Sequence, residues 1–114
     1  MTNHEKVLDY HKKFDLPVAW GELPPEQVIF RISLMKSEFE ELCHAMQNNN
    51  RANIIEELTQ VLAAVYGTAV EYGFDTDKAF HRTYESMMSK DPPLTKNGKL
   101  VKGPNYKPAD FTDL

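Results

Sequence analysis

The chain has 114 residues, 41% of them hydrophobic and 26% charged, which suits one apolar core and a single domain. The formal net charge of −4 is uneven: residues 1–85 carry 8 Lys/Arg against 14 Asp/Glu, and residues 86–114 carry 5 Lys against 3 Asp. An acidic body with a basic tail excludes a general nucleic-acid surface, and the single cysteine, Cys43, excludes an intramolecular disulfide or a Cys-rich zinc site.

Four segments show helical periodicity, and none of comparable length alternates as a strand does. The first spans residues 3–14, with Val7, Tyr10, His11 and Phe14 on one side. Its start holds no apolar run of the secretory type, and the most apolar stretch, residues 58–70, is too short to cross a bilayer. A cytoplasmic protein with no membrane partner is expected. Residues 15–24 form a connector with Pro17, Gly21 and Pro24, and place Trp20 at a core edge. The second helix opens near Pro25 and repeats Val28, Ile32, Met35, Phe39, Leu42 and Met46 as a bundle seam. After the turn Asn48-Asn49-Asn50, the third helix covers residues 52–72, with Ile54, Ile55, Leu58, Val61, Leu62, Val65, Ala69 and Tyr72 inward. Gly73 is its left-handed stop, and the short turn makes helices two and three an antiparallel hairpin. Asp75 caps a fourth helix reaching about residue 90, where Asp91-Pro92-Pro93 ends it. Asn97-Gly98 between Lys96 and Lys99 signals a two-residue β-hairpin in an otherwise irregular tail. The expected architecture is all-α: a four-helix bundle over residues 1–90 with residues 91–114 packed over it. The broad apolar stripes of helices two and three predict a homo-oligomer, dimer or tetramer.

Glu38 and Glu41 are three apart on helix two, and Glu57 and Gln60 repeat that spacing on helix three. Neighbours at this spacing share a helix side, so an antiparallel hairpin lets the two pairs face each other. Facing carboxylates are how bundles hold hard cations such as Mg²⁺. Phe39, Leu42, Leu58 and Val61 interleave with the acids and draw Glu57 toward the buried stripe. His11, His44 and His81 fall on three different helices without ligand spacing and are read as packing or surface residues. Cys43 is read as a small core residue, and Tyr84 and Tyr106 more readily as packing than as base-stacking groups.

The runs Glu38-Phe39-Glu40-Glu41-Leu42 and Glu56-Glu57-Leu58-Thr59-Gln60-Val61-Leu62 resemble the paired E-x-x-E and E-x-x-D motifs of the MazG-like all-α nucleotide pyrophosphohydrolases, which include dimeric dUTPases and phosphoribosyl-ATP pyrophosphohydrolases. The likeness continues through Gly73-Phe74-Asp75, Ser86-Met87-Met88-Ser89-Lys90 and Lys102-Gly103-Pro104-Asn105-Tyr106. What it implies is a Mg²⁺ ion on four motif carboxylates and attack of water between the α- and β-phosphates, releasing a nucleoside monophosphate and pyrophosphate. By position, Glu38, Glu41 and Glu57 match three of those catalytic metal ligands. Arg31, Gln60, Lys90, Lys102, Asn105 and Tyr106 match positions that approach the ligand.

Two departures stand out: Gln60 replaces the motif aspartate, and Met87 replaces the asparagine of the usual Ser-Asn-Met-Ser-Lys segment. Gln60 still offers a neutral carbonyl oxygen but removes one charge, and Met87 can neither ligate Mg²⁺ nor hydrogen-bond a phosphate. The resulting expectation is a protein that binds a nucleotide, or a nucleotide-derived phosphorylated molecule, with weak or no hydrolysis and a sequestering or regulatory role. The alternatives are an active Mg²⁺-dependent nucleoside triphosphate pyrophosphohydrolase, with Glu56 or Glu40 compensating, and a helical interaction module.

Overall fold

A computed structural model describes residues 1–92 and 94–114. It is all-α apart from one short hairpin: α1 (Asn3–Lys13), α2 (Pro25–Gln47), α3 (Arg51–Tyr72), α4 (Thr76–Met88), β1 (Leu94–Lys96) and β2 (Lys99–Val101). No described helix is long and apolar enough to cross a membrane. The chain gathers into two compact units, Met1–Phe74 and Asp75–Leu114.

In the first unit α1 and α3 each start where a side chain satisfies an orphan N–H group. Thr2 Oγ1 accepts from Glu5 N at 3.1 Å, and Asn50 Oδ1 accepts from Asn53 N at 3.1 Å. Pro25 sits in the first turn of α2, where a missing N–H costs nothing. Asn49 turns the chain at φ 53° and returns α3 antiparallel to α2. The end of α3 is held by the connector: Ala19, Trp20 and Gly21 donate backbone N–H groups to the carbonyls of Val70, Glu71 and Tyr72 at 2.9, 2.8 and 3.1 Å. Gly73 stops the helix at φ 97°, and a Cβ there would lie 2.9 Å from Ala19 Cα, so glycine alone fits.

The interior of this unit is small and partly polar. Its buried apolar residues are Leu23, Leu42, Ala45, Ala64, Ala69 and Val70, joined by His11, Arg31 and Glu71. The expected seam of α2 is therefore only half right for the single chain. Leu42 is buried and Val28 and Met35 are half-buried, but Ile32, Phe39 and Met46 are exposed. On α3, likewise, Ala69 is buried while Ile55, Leu58, Leu62 and Val65 are exposed. Arg31 takes the place on the inner side of α2 that an apolar residue was expected to fill. Trp20 is also about half exposed.

In the second unit, Asp75 caps α4 as expected, accepting from Asp77 N and Lys78 N at 2.9 and 3.3 Å. The helix ends at Met88, two residues before the expected end, where Ser89 Oγ turns back to Ser86 O at 2.6 Å. Pro93 of the expected terminator lies outside the described residues. Asn97 and Gly98, at φ 54° and 76°, make the tight turn between β1 and β2, with Leu94 opposite Val101. The tail then runs back along α4. Ser86 Oγ donates to Lys107 O, and Lys107 N donates to Ser89 Oγ, each at 2.8 Å. Arg82 holds Asp113 in a two-pronged ion pair and donates to Asp110 O at 2.9 Å. That guanidinium keeps the Asp113 carboxyl down at about 2.

Candidate functional site

Antiparallel packing of α2 on α3 does what the motif spacing implies. Glu38, Glu41 and Glu57 each bring a carboxylate oxygen within 4.8 Å of the others. Glu38 and Glu57 are half-buried and Glu41 is exposed. Among the described residues no cation pairs with any of the three. One oxygen, Glu57 Oε2, is buried without a hydrogen-bond partner. Its carboxyl is pushed above the ordinary value of 4.5, first by burial, then by the Glu41 carboxyl it meets, then by the charges of Glu41, Glu56 and Glu38. Three like charges at this spacing, one with an orphaned oxygen, form a site short of positive charge. Oxygen-only donors of full charge suit a hard divalent cation, so the residues fit Mg²⁺.

Beside the acids lies a cavity of about 620 Å³ between α1, α2 and α3. Glu38 and Gln60 line it from the hairpin, and Tyr10, Phe30 and Leu34 add apolar surface. A volume of this size is ordinary for a nucleotide-sized ligand. Gln60 is exposed and shares the cavity with Glu38, but it is not one of the three converging acids. Glu40 and Glu56 are exposed and stand outside that cluster.

Arg31 lines the same cavity with its guanidinium engaged inside the chain. It donates to Glu71 Oε2 at 3.0 Å, to Ala64 O at 2.7 Å and to Thr68 Oγ1 at 3.1 Å. Glu71, 1% exposed, also accepts from Gln27 Nε2 at 2.7 Å. His11 is buried too, its Nδ1 2.9 Å from Pro17 O. Gly67 makes room for both: a Cβ there would stand 2.7 Å from Arg31 Nη2 and 3.1 Å from His11 Nε2. Gly67 and Thr68 fall in a family-like stretch, Val65-Tyr66-Gly67-Thr68-Ala69, and Glu71 and Gln27 in none; the sequence singles out none of the four as a site residue. Glu71 in the last turns of a long apolar helix was the one available signal.

Of the remaining candidates, Met87, Lys90, Lys102, Asn105 and Tyr106 belong to the second unit. Lys90 is half-buried, and Lys102 Nζ lies 5.0 Å from the centre of the Tyr106 ring. Asn105 Nδ2 donates to Asp91 O at 3.0 Å, and Met87 is 53% exposed. His44 and His81 are exposed, with His81 stacked on Tyr84 at 6.1 Å, and Cys43 is half-buried and free.

The fold and the site together define an all-α protein with an acid-lined helical hairpin and a cavity at its side. Residues 31–95, more than half of the chain, match the MazG nucleotide pyrophosphohydrolase domain, and the protein belongs to that family. The matched stretch contains Arg31, the three converging glutamates, Gln60, Met87 and Lys90, while Lys102, Asn105 and Tyr106 lie beyond it. A search among curated proteins found no match to the chain.

Proposed function

We propose that the protein binds a nucleotide or a nucleotide-derived phosphorylated molecule beside the Glu38–Glu41–Glu57 cluster and hydrolyses it weakly or not at all. The observation that carries the binding half is the orphaned, buried Oε2 of Glu57 among converging carboxylates. Such a group is tolerated when a cation completes it. Glu38, Glu41 and Glu57 would hold Mg²⁺, which supplies the positive charge that phosphates need near these acids. Glu57 and Glu38 fix the cation's side of the ligand, and Tyr10 and Phe30 offer apolar surface for its uncharged part. Lys90, Lys102, Asn105 and Tyr106 are proposed as further ligand contacts through the basic character of their segment. The protein works in the cytoplasm as a homo-oligomer, with no nucleic-acid polymer or membrane as partner.

Weak hydrolysis rests on Gln60 and Met87, which replace an acid and an amide at chemically demanding positions. A working Mg²⁺-dependent pyrophosphohydrolase is the second reading, favoured by the convergence of all three remaining carboxylates within 4.8 Å. One experiment separates the two: a panel of nucleoside di- and triphosphates, with and without Mg²⁺ or Mn²⁺, scored for both binding and pyrophosphate release. Metal-dependent binding with release far below about 1 per second supports the first reading. Turnover at that rate or faster replaces it with the second, and no binding under any condition removes both.

A further inference from the structure

The cavity between α1, α2 and α3 has two unlike ends. At one, the charges are spent inside the chain. Arg31 commits all three guanidinium nitrogens to Glu71, Ala64 O and Thr68, and Glu71 takes Arg31 on one oxygen and Gln27 on the other. An arginine neutralised by a carboxylate that is 1% exposed keeps little field for a phosphate. Toward the other end stand Glu38, Gln60 and Lys6. The helix directions put them there. His11 lies beside Gly67, and the connector after α1 bonds to the carbonyls of Val70, Glu71 and Tyr72, so α1 and α3 run the same way. Lys6 precedes His11 by five residues, which sets it about 7 Å back toward Gln60. Glu38 follows Arg31 by seven residues on the antiparallel α2, which sets it about 10 Å in that same direction.

We propose that Lys6, rather than Arg31, is the side chain of this cavity that meets the ligand's phosphates, an inference that rests on the nucleotide reading above. Three carboxylates converge at the site, and one divalent cation on them leaves one negative charge over when all are ionised. A phosphate chain brought to that cation still faces like charge, so the cavity must supply a second positive group. Arg31 and Lys6 are the arginine and lysine that line it, and Arg31 is already spent. Lys6 is exposed, and among the described residues no carboxylate lies within ion-pair distance of it. A lysine suits the task, being a compact charge on a flexible stem that can follow an oxygen atom as it moves. The neutralised end, with Tyr10 beside His11 and Phe30 beside Arg31 in the chain, suits what carries no charge. The ligand therefore lies along the cavity with its phosphates toward Lys6 and its uncharged part toward Arg31.

The test is calorimetry on the parent and two variants, with Mg²⁺ alone and with a panel of ribo- and deoxyribonucleoside triphosphates in Mg²⁺. Lys6→Met keeps the apolar stem and removes the charge. It should bind the tightest of the triphosphates about tenfold more weakly than the parent, the worth of one charge-assisted contact at an exposed position. Mg²⁺ alone should bind Lys6→Met no more weakly than the parent, because removing a positive charge near the acids favours a cation. A residue that only shaped α1 would weaken both. Lys6→Arg keeps the charge and should recover most of the lost affinity. Parent-like triphosphate binding by Lys6→Met overturns the inference and leaves the nucleotide reading standing. So does an equal loss of Mg²⁺ and triphosphate binding, or a Lys6→Arg variant no better than Lys6→Met. A parent that binds no nucleotide under any condition ends the nucleotide reading and this inference together.

Discussion

The two faces of one helical hairpin solve opposite problems. Toward α1 the hairpin buries charge: Arg31 and Glu71 are nearly inaccessible, bonded to each other and to Gln27, Thr68 and Ala64 O. Away from α1 it exposes Phe39, Leu58 and Leu62, side chains that ordinarily make cores. Polar groups on the covered face have fixed directions and stay satisfied only while the helices keep their register. Apolar groups on the open face have no such demand and tolerate any partner of matching shape. The first face therefore holds its groups in fixed directions, and the second leaves an apolar surface open. Glu38 lines the cavity on the first face, and Glu41 and Glu57 converge on Glu38.

Breaking the covered face should have the largest effect. Glu71→Ala leaves the Arg31 guanidinium buried without its partner, and breaking a buried pair this way costs about 3–5 kcal/mol. Because small domains are stable by about 5–15 kcal/mol, chemical denaturation should find this variant near or past its limit. Glu71→Ala unfolding at the parent's midpoint would show that the network is ornamental. Next comes the acid cluster. Glu57→Gln removes the charge best placed to meet a cation and should weaken Mg²⁺-dependent nucleotide binding about a hundredfold or more, read by calorimetry. The same variant should be no less stable than the parent without metal, since it relieves repulsion from Glu41, Glu56 and Glu38.

Much of this was legible in the sequence, for physical reasons that can be named. Local chemistry marked the ends: Asp75 caps α4, Gly73 stops α3, and Asn97-Gly98 turns the hairpin. Those signals depend on a few adjacent residues and no tertiary context. Glu38, Glu41 and Glu57 were legible because three-residue spacing fixes which side of a helix a residue takes. What periodicity could not decide was which of two apolar stripes the chain covers by itself. Ile32 and Phe39 repeat as regularly as Met35 and Leu42, yet only the latter are drawn inward. Buried charge was illegible for the complementary reason. Arg31 and Glu71, 40 residues apart, look like surface residues until the hairpin closes and pairs them.

Gly67 offers a smaller perturbation that sharpens the contrast between the faces. Gly67→Ala puts a methyl 2.7 Å from Arg31 Nη2 and 3.1 Å from His11 Nε2, so the covered face must shift. Overpacking of this kind typically costs about 1–3 kcal/mol, less than losing Glu71 outright. Leu62→Ala, on the open face, should by contrast leave a folded chain whose loss depends on concentration. If Gly67→Ala also showed concentration-dependent loss, the two faces would not be separable. Gln60→Asp with Met87→Asn restores the family's motif residues and should tighten Mg²⁺ binding. Pyrophosphate release should then rise above the parent rate only when divalent metal is present, and an unchanged rate would remove those two positions as the reason for weak chemistry.

The smallest expected effect is in pH, and its sign separates a cation site from a merely crowded surface. Glu57 has a carboxyl raised above 4.5 by burial and by neighbouring acids. A carboxyl raised in the folded state binds a proton more tightly there than in the unfolded chain. Its contribution is therefore fully present below the unfolded value and is lost as pH rises through the folded one. Without metal, the parent should gain stability relative to Glu57→Gln as pH falls from 7 toward 4.5, because the variant lacks this group while sharing every other titration. With saturating Mg²⁺ the sign should reverse. The cation holds the carboxylate ionised, so metal stabilises most near neutral pH and progressively less as protons compete. Thermal midpoints of the two proteins, with Mg²⁺ and with chelator across that range, provide the measurement. Four parallel curves would mean that Glu57 neither feels its neighbours nor meets a metal.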